Sequence, residues 1–140
     1  MTDLAPTRSF DDVAVGDELP ELAVPLTRTL IVSTAIATRD YQDVHHDPAL
    51  AVERGSPDIF MNILSTNGFV NRFVTEWAGP ASRVTKLSIR LGAPNHPGDT
   101  MTFTGSVEAK DDATNTVTIG LVGANSIGAH VTGTVELVLP

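Results

Sequence analysis

The chain has no cysteine, which excludes thiol catalysis, disulfide frameworks and cysteine-ligated zinc and suits a reducing compartment. Basic residues are also scarce. Nine Lys plus Arg stand against 17 Asp plus Glu, for a net charge of -8, and no Lys/Arg-rich stretch exists. Binding a phosphate backbone requires such a stretch, so nucleic acid is excluded as a partner. No apolar run approaches the roughly 20 residues that cross a bilayer. Met1 to Arg8 has neither a basic start followed by an apolar run nor an Arg/Ser-rich amphipathic pattern. We read no secretion or organelle signal and expect a cytoplasmic protein.

What is present suffices for one core. At 140 residues and 41% hydrophobic content, the expectation is a single domain over residues 1–140, burying roughly 70% of its unfolded surface without disulfide or metal. A helical first half precedes a strand-rich second half, with no internal repeat or low-complexity linker. Glu21 to Thr29 reads as a first strand whose Pro25 suits an edge. Leu30 to Thr38 has helical spacing, although its Ile and Val favour strands. Asp47-Pro48 predicts an N-cap with proline at the first helical position, opening a short helix that stops at Gly55. Ile59 to Trp77 predicts a long helix capped by Asp58 and ended by Gly79-Pro80. Its apolar residues occupy most of the circumference, which predicts a wrapped helix.

Four strands with two-residue alternation follow. Leu87, Ile89 and Leu91 mark one, and Met101, Phe103, Gly105, Val107 and Ala109 the next. Val117, Ile119 and Leu121 mark a third; Ala129, Val131, Gly133, Val135, Leu137 and Leu139 mark the last. Turns at Asn95 to Asp99, Asp111 to Asn115 and Gly123 to Gly128 make the last three strands an antiparallel meander. The fold class is therefore α+β, a curved antiparallel sheet around one long helix.

One segment stands apart in composition: Arg39-Asp40-Tyr41-Gln42-Asp43-Val44-His45-His46-Asp47-Pro48. These polar residues fit a solvated loop. They equally fit a site in which Asp40 and His45 share a cavity and hold one water, with an imidazole suited to proton transfer near neutrality. Spacing alone accommodates both readings.

The run from Asp40 to Pro48 resembles the hydratase motif of the MaoC-like, or (R)-specific enoyl-CoA hydratase, family of hot-dog folds, roughly Gly-Asp-x-Asn-Pro-x-His-x-Asp-Pro. Asp40 falls on the motif's aspartate and His45 on its histidine. A later family signature, an Arg-Phe/Leu strand leading into Pro-x-x-Pro-Gly-Asp-Thr, is matched by Arg90-Leu91 and by Pro94-Asn95-His96-Pro97-Gly98-Asp99-Thr100. There are also departures. Arg39 stands where the motif has glycine, Gln42-Asp43 where it has Asn-Pro, and Phe60-Met61-Asn62 where the family has Ala-His-Gly at the start of the hot-dog helix. Within the family, the wording around His45, Asp58 to Leu64 and Thr75 to Pro80 is similar to the small subunits of actinobacterial steroid side-chain hydratases used in cholesterol degradation.

The resemblance implies a hot-dog fold and an enoyl-CoA hydratase. It implies Asp40 and His45 as the catalytic pair, and the Asn62 backbone N-H in place of the glycine N-H that polarises the thioester carbonyl. It further implies a steroid acyl-CoA substrate and a second, larger MaoC-like subunit, in a heterodimer that assembles to a heterotetramer. CoA is then part of the substrate, and no separate cofactor or metal is expected. Two alternatives remain open: a homodimeric (R)-specific hydratase of fatty enoyl-CoA, and a noncatalytic hot-dog binding or scaffold subunit. His46 is read as an exposed neighbour of the motif, His96 and His130 as structural, Arg39 and Asp43 as loop charges, and Trp77 as packing.

Overall fold

A computed structural model describes residues 6–140 of the chain. Of the N-terminal segment Met1 to Arg8, the first five residues lie outside the described part. The elements are β1 (Leu22–Pro25), α1 (Arg28–Ala37), α2 (Pro48–Glu53), α3 (Ile63–Ala78), β2 (Arg83–Leu91), β3 (Thr100–Asp111), β4 (Thr116–Ala124) and β5 (Ala129–Val138), with single 3-10 turns at Phe10–Asp12 and Asp43–His45. All five strands form one antiparallel sheet in the order β1-β3-β4-β5-β2. The meander β3-β4-β5 is as the alternation predicts, and β1 with its Pro25 lies at one edge, where a missing N-H costs no ladder bond.

Alternation also sets the core. Met101, Phe103 and Val107 of β3, Val117, Ile119 and Leu121 of β4, and Val131, Val135 and Leu137 of β5 all point inward and are buried. A bulge between Val107 and Ala109 shifts the register of β3 against β4 and bends that strand. Helix α3 lies in the resulting concavity, with Val70, Phe73, Val74 and Trp77 buried and the Phe73 ring stacked on Phe103 at 5.4 Å. This is the hot-dog arrangement.

Two expectations about α3 need correction. It starts at Ile63, not Ile59, and its N-cap is Asn62, whose side chain accepts from the Ser65 N-H at 3.0 Å. Asp58 caps nothing; it takes the Arg28 guanidinium bidentately at 2.9 and 2.8 Å and the N-H of Ile59. Residues 59–61 stay outside the helix because their backbone N-H groups bond elsewhere: Ile59 to the Asp58 side chain, Phe60 to the Val44 carbonyl, Met61 to the Asn95 carbonyl. The second correction concerns burial. The sheet covers one face of α3, while Gly68, Asn71, Arg72 and Glu76 face outward and Ile63 and Leu64 stay about half exposed.

The shorter helices agree with their local chemistry. Thr27 caps α1 through the Leu30 N-H, and Asp47 caps α2 through the N-H groups of Ala49 and Leu50, with Pro48 at the first position. Among the described residues, no helix is long and apolar enough to cross a membrane.

Candidate active site

The end of α1 determines where Asp40 sits. The Arg39 N-H bonds to the Ile36 carbonyl and the Asp40 N-H to the Ala35 carbonyl, the two crossed bonds of a Schellman motif. That motif requires a left-handed residue just past the helix, and Arg39 adopts it at φ 59°. The glycine of the family motif is thus explained by the turn, and arginine makes the same turn with a Cβ in an unfavourable region.

His45 is positioned from the other side. It closes the 3-10 turn Asp43–His45 and is buried, and its Nδ1 lies 2.7 Å from the Phe60 carbonyl oxygen. A carbonyl only accepts, so Nδ1 carries the proton and the neutral ring keeps its lone pair on Nε2. The Phe60 ring packs edge-on against the imidazole at 5.0 Å. Nε2 faces Asp40 Oδ2 at 3.4 Å, longer than a good hydrogen bond. Asp40 is held below the ordinary carboxylate pKa, chiefly by the Asn62 amide, then by the Gln42 N-H and the neighbouring His45, against the opposing effect of burial. An ionised carboxylate and an imidazole lone pair side by side form a twin acceptor, able to take both hydrogens of one water or hydroxyl group.

These two side chains share a recess of about 390 Å³ with Gln42, Phe60, Met61, Asn62, Leu91 and His130. Of the three residues singled out in the sequence, all three line it. Asn62 is buried, and among the described residues no acceptor meets its backbone N-H, which sits where α3 begins and the helix dipole is positive. Its side chain does more than the sequence reading provided for, bonding Thr38, Asp40 and Ser65.

His46 is exposed and lies instead in a surface depression with Tyr41, Asp43 and Arg54. Asp43 is engaged with Arg54 at 2.7 Å. His96 supports the site from behind, its Nδ1 2.9 Å from the Ile59 carbonyl. His130 is structural but also lines the recess: Nδ1 donates to the Ala93 carbonyl at 2.6 Å, Nε2 meets the Thr66 hydroxyl at 2.8 Å, and burial lowers its pKa. The Asn95 side chain, wholly buried, reaches the Met101 sulfur at 3.1 Å and accepts from Asn125 at 2.9 Å, while its carbonyl holds Met61. Sequence reasoning missed Thr38, Ser65 and Asn95; the only available signal was Asn62-x-x-Ser65, a good N-cap pattern hidden by the apolar residues before it.

Among the described residues, no three His, Asp or Glu side chains are grouped to hold a metal ion.

Residues 13–126 match the family described as MaoC like domain. The chain is 53% identical over 123 residues, covering 88% of it and 94% of the relative, to the 3-oxo-4,17-pregnadiene-20-carboxyl-CoA hydratase beta subunit of Mycobacterium tuberculosis. It superposes with a TM-score of 0.88 on a chain of the ChsH1-ChsH2 complex from Mycobacterium tuberculosis, at 51% identity over 91% of this chain and 98% of that one. An (R)-hydratase from A. caviae involved in PHA biosynthesis has the same fold, with a TM-score of 0.81 at 22% identity over 91% of this chain and 98% of that one.

Proposed function

The chain belongs to the MaoC-like domain family, and from that premise we propose that it is the catalytic small subunit of an enoyl-CoA hydratase acting on a steroid side-chain enoyl-CoA, working with a second MaoC-like subunit. The observation that carries the chemistry is the facing Asp40–His45 pair that lines the recess. The substrate and the assembly are supported by the 53% identical hydratase beta subunit and the two-chain ChsH1-ChsH2 neighbour.

Hydration of an α,β-unsaturated thioester needs three things: a nucleophilic water at Cβ, a proton for Cα, and donors for the negative charge that builds on the thioester oxygen. In this reading the water gives one hydrogen bond to Asp40 and one to His45 Nε2. As its oxygen bonds to Cβ, one proton passes to the pair. The pair supplies a proton to Cα, so that the net change is the addition of H and OH across the double bond. The Asn62 backbone N-H, at the positive end of α3, receives the thioester oxygen as charge develops there. Such proton transfer by positioned groups is worth about 10²–10⁴ in rate.

The chain's net charge of -8 disfavours a self-sufficient site for the phosphates of CoA, in keeping with a second subunit that provides the basic residues. The test compares the isolated chain with its co-expressed complex, each assayed on a steroid enoyl-CoA and on a short linear enoyl-CoA. We expect turnover on the steroid thioester from the complex and little from the isolated chain. A homodimer that hydrates linear enoyl-CoA at about 10 per second overturns the reading in favour of the fatty enoyl-CoA enzyme. A complex whose activity resides wholly in the other subunit makes this chain a scaffold.

A further inference from the structure

We infer that the Asn62 side-chain amide is a positioning residue, a fixed donor that aims Asp40 Oδ2 at His45 and ties it to the N-terminus of α3. The inference rests on the hydratase reading and adds to it: the backbone N-H of Asn62 faces the substrate, while its side chain acts through Asp40.

The orientation of the amide follows from the partners. Asn62 Oδ1 accepts from the Ser65 N-H at 3.0 Å and also from the Ser65 hydroxyl. A backbone N-H only donates, so the amide oxygen must face α3 and Nδ2 must face the other way. There Nδ2 gives one hydrogen to Asp40 Oδ2 at 3.1 Å and the other to Thr38 Oγ1 at 2.9 Å. Thr38 has no competing need for that lone pair, because its own hydroxyl donates back to the Thr34 carbonyl at 2.8 Å. Every polar atom of the amide is used, and three elements meet on it: the end of α1, the turn carrying Asp40, and the first turn of α3. The amide is buried, which strengthens each bond and makes a missing partner costly.

Glycine, which the family motif has here, offers a backbone N-H and nothing more. In this chain Asn62 replaces it, and the same residue both caps the helix and grips the carboxylate. Since the bond goes to Oδ2, the oxygen that also faces His45 Nε2, loss of the amide leaves Asp40 held only through Oδ1, by the Gln42 N-H at 3.3 Å, and lets Oδ2 swing out of line. It also removes the donor that favours the ionised carboxylate. The titratable side chains lining the recess are Asp40, His45 and His130. His130 is occupied by Ala93 and Thr66, which leaves His45 as the other titratable group facing Asp40, bearing on it by charge only when its ring is protonated.

Asn62→Ser tests this with the fold preserved, because serine is an equally good N-cap but one atom shorter, out of reach of Asp40. Asn62→Asp is isosteric, keeps the cap, and replaces the donor with a second carboxylate. Carbon-detected NMR titration of the aspartate carboxyls in the full chain, with Asp40 assigned by comparison with Asp40→Asn, reads its pKa directly. We expect it to rise in Asn62→Ser and to rise further in Asn62→Asp. In the assembly that hydrates enoyl-CoA, kcat should fall about tenfold in Asn62→Ser with KM little changed, and the acid limb of kcat/KM should move to higher pH in step with the titration. An unmoved Asp40 pKa together with wild-type kcat in both folded variants overturns the positioning role. Full activity of Asp40→Asn in the same assay overturns the hydratase reading instead, so the two failures are distinct.

Discussion

Replacing Arg39 with glycine should make the protein more stable, although it removes a large charged side chain. Arg39 is exposed, and among the described residues its side chain makes no hydrogen bond or ion pair, while its backbone sits at φ 59°. A left-handed conformation costs a residue with a Cβ about 1–2 kcal/mol. Glycine escapes that cost but has more freedom to lose on folding, about 0.4–1 kcal/mol. The difference leaves Arg39→Gly ahead by about 0.5–1 kcal/mol, which for a chain of this size raises Tm by about 1–4 °C. Arg39→Ala is the control, because alanine keeps the Cβ and loses only the guanidinium, and it should match wild type. Arg39→Val, branched at Cβ, should be the least stable of the three variants. Thermal unfolding followed by circular dichroism measures all four proteins. Hydration by Arg39→Gly should equal wild type, since the crossed bonds to Ala35 and Ile36 that present Asp40 do not involve the side chain. If Arg39→Gly is no more stable than Arg39→Ala, strain at this turn is refuted. If it is stable but inactive, the guanidinium has a role at the site.

Three further outcomes follow from the site and its supports. Acidification should destabilise the protein in two stages: His130, whose buried ring has a pKa below the ordinary 6.5, contributes stability that is complete above 6.5 and is lost as pH falls through its folded value. The carboxylates of Asp40, Asp43, Asp58 and Asp99, all lowered, act at lower pH in the same direction. His130→Gln should therefore flatten the upper part of a plot of stability against pH, and an unchanged slope would contradict the assignment. Asn95→Ala should cost about 0.5–1.5 kcal/mol by removing one of the two acceptors of the Asn125 amide, the Pro94 carbonyl remaining as the other, read as a lowered denaturation midpoint in urea. His46→Ala should leave hydration within about twofold of wild type, because His46 faces another depression; a greater loss than for His45→Ala would shift the motif register by one residue.

Much of the fold was legible because period-2 alternation in the second half coincides with real inward faces: Met101, Phe103 and Val107 repeat, and so do Val131, Val135 and Leu137. Asp47-Pro48 was legible for a different reason, local capping chemistry that needs no tertiary partner. The start of α3 was not. Apolar residues from Ile59 onward read as continuous helix, yet the Phe60 and Met61 N-H groups are claimed by Val44 and Asn95, far away in sequence, and the helix does not begin until after Asn62. The site divides in the same way. Asp40 and His45 were visible through motif spacing, whereas the amide bridge from Asn62 to Asp40 and Thr38 spans 22 and 24 residues and exists only once α1 and α3 are packed together. Arg39 was legible only as a departure from glycine; its reason is a left-handed turn.

The most direct measurement is the hydration rate of Asp40→Asn and of His45→Ala in the assembled enzyme on a steroid enoyl-CoA, with folding checked by circular dichroism. Asp40→Asn removes the carboxylate and His45→Ala the imidazole of the facing pair that we propose holds the water, and each should lower kcat at least 100-fold in a folded, assembled protein. Wild-type turnover in both variants would contradict the proposed site.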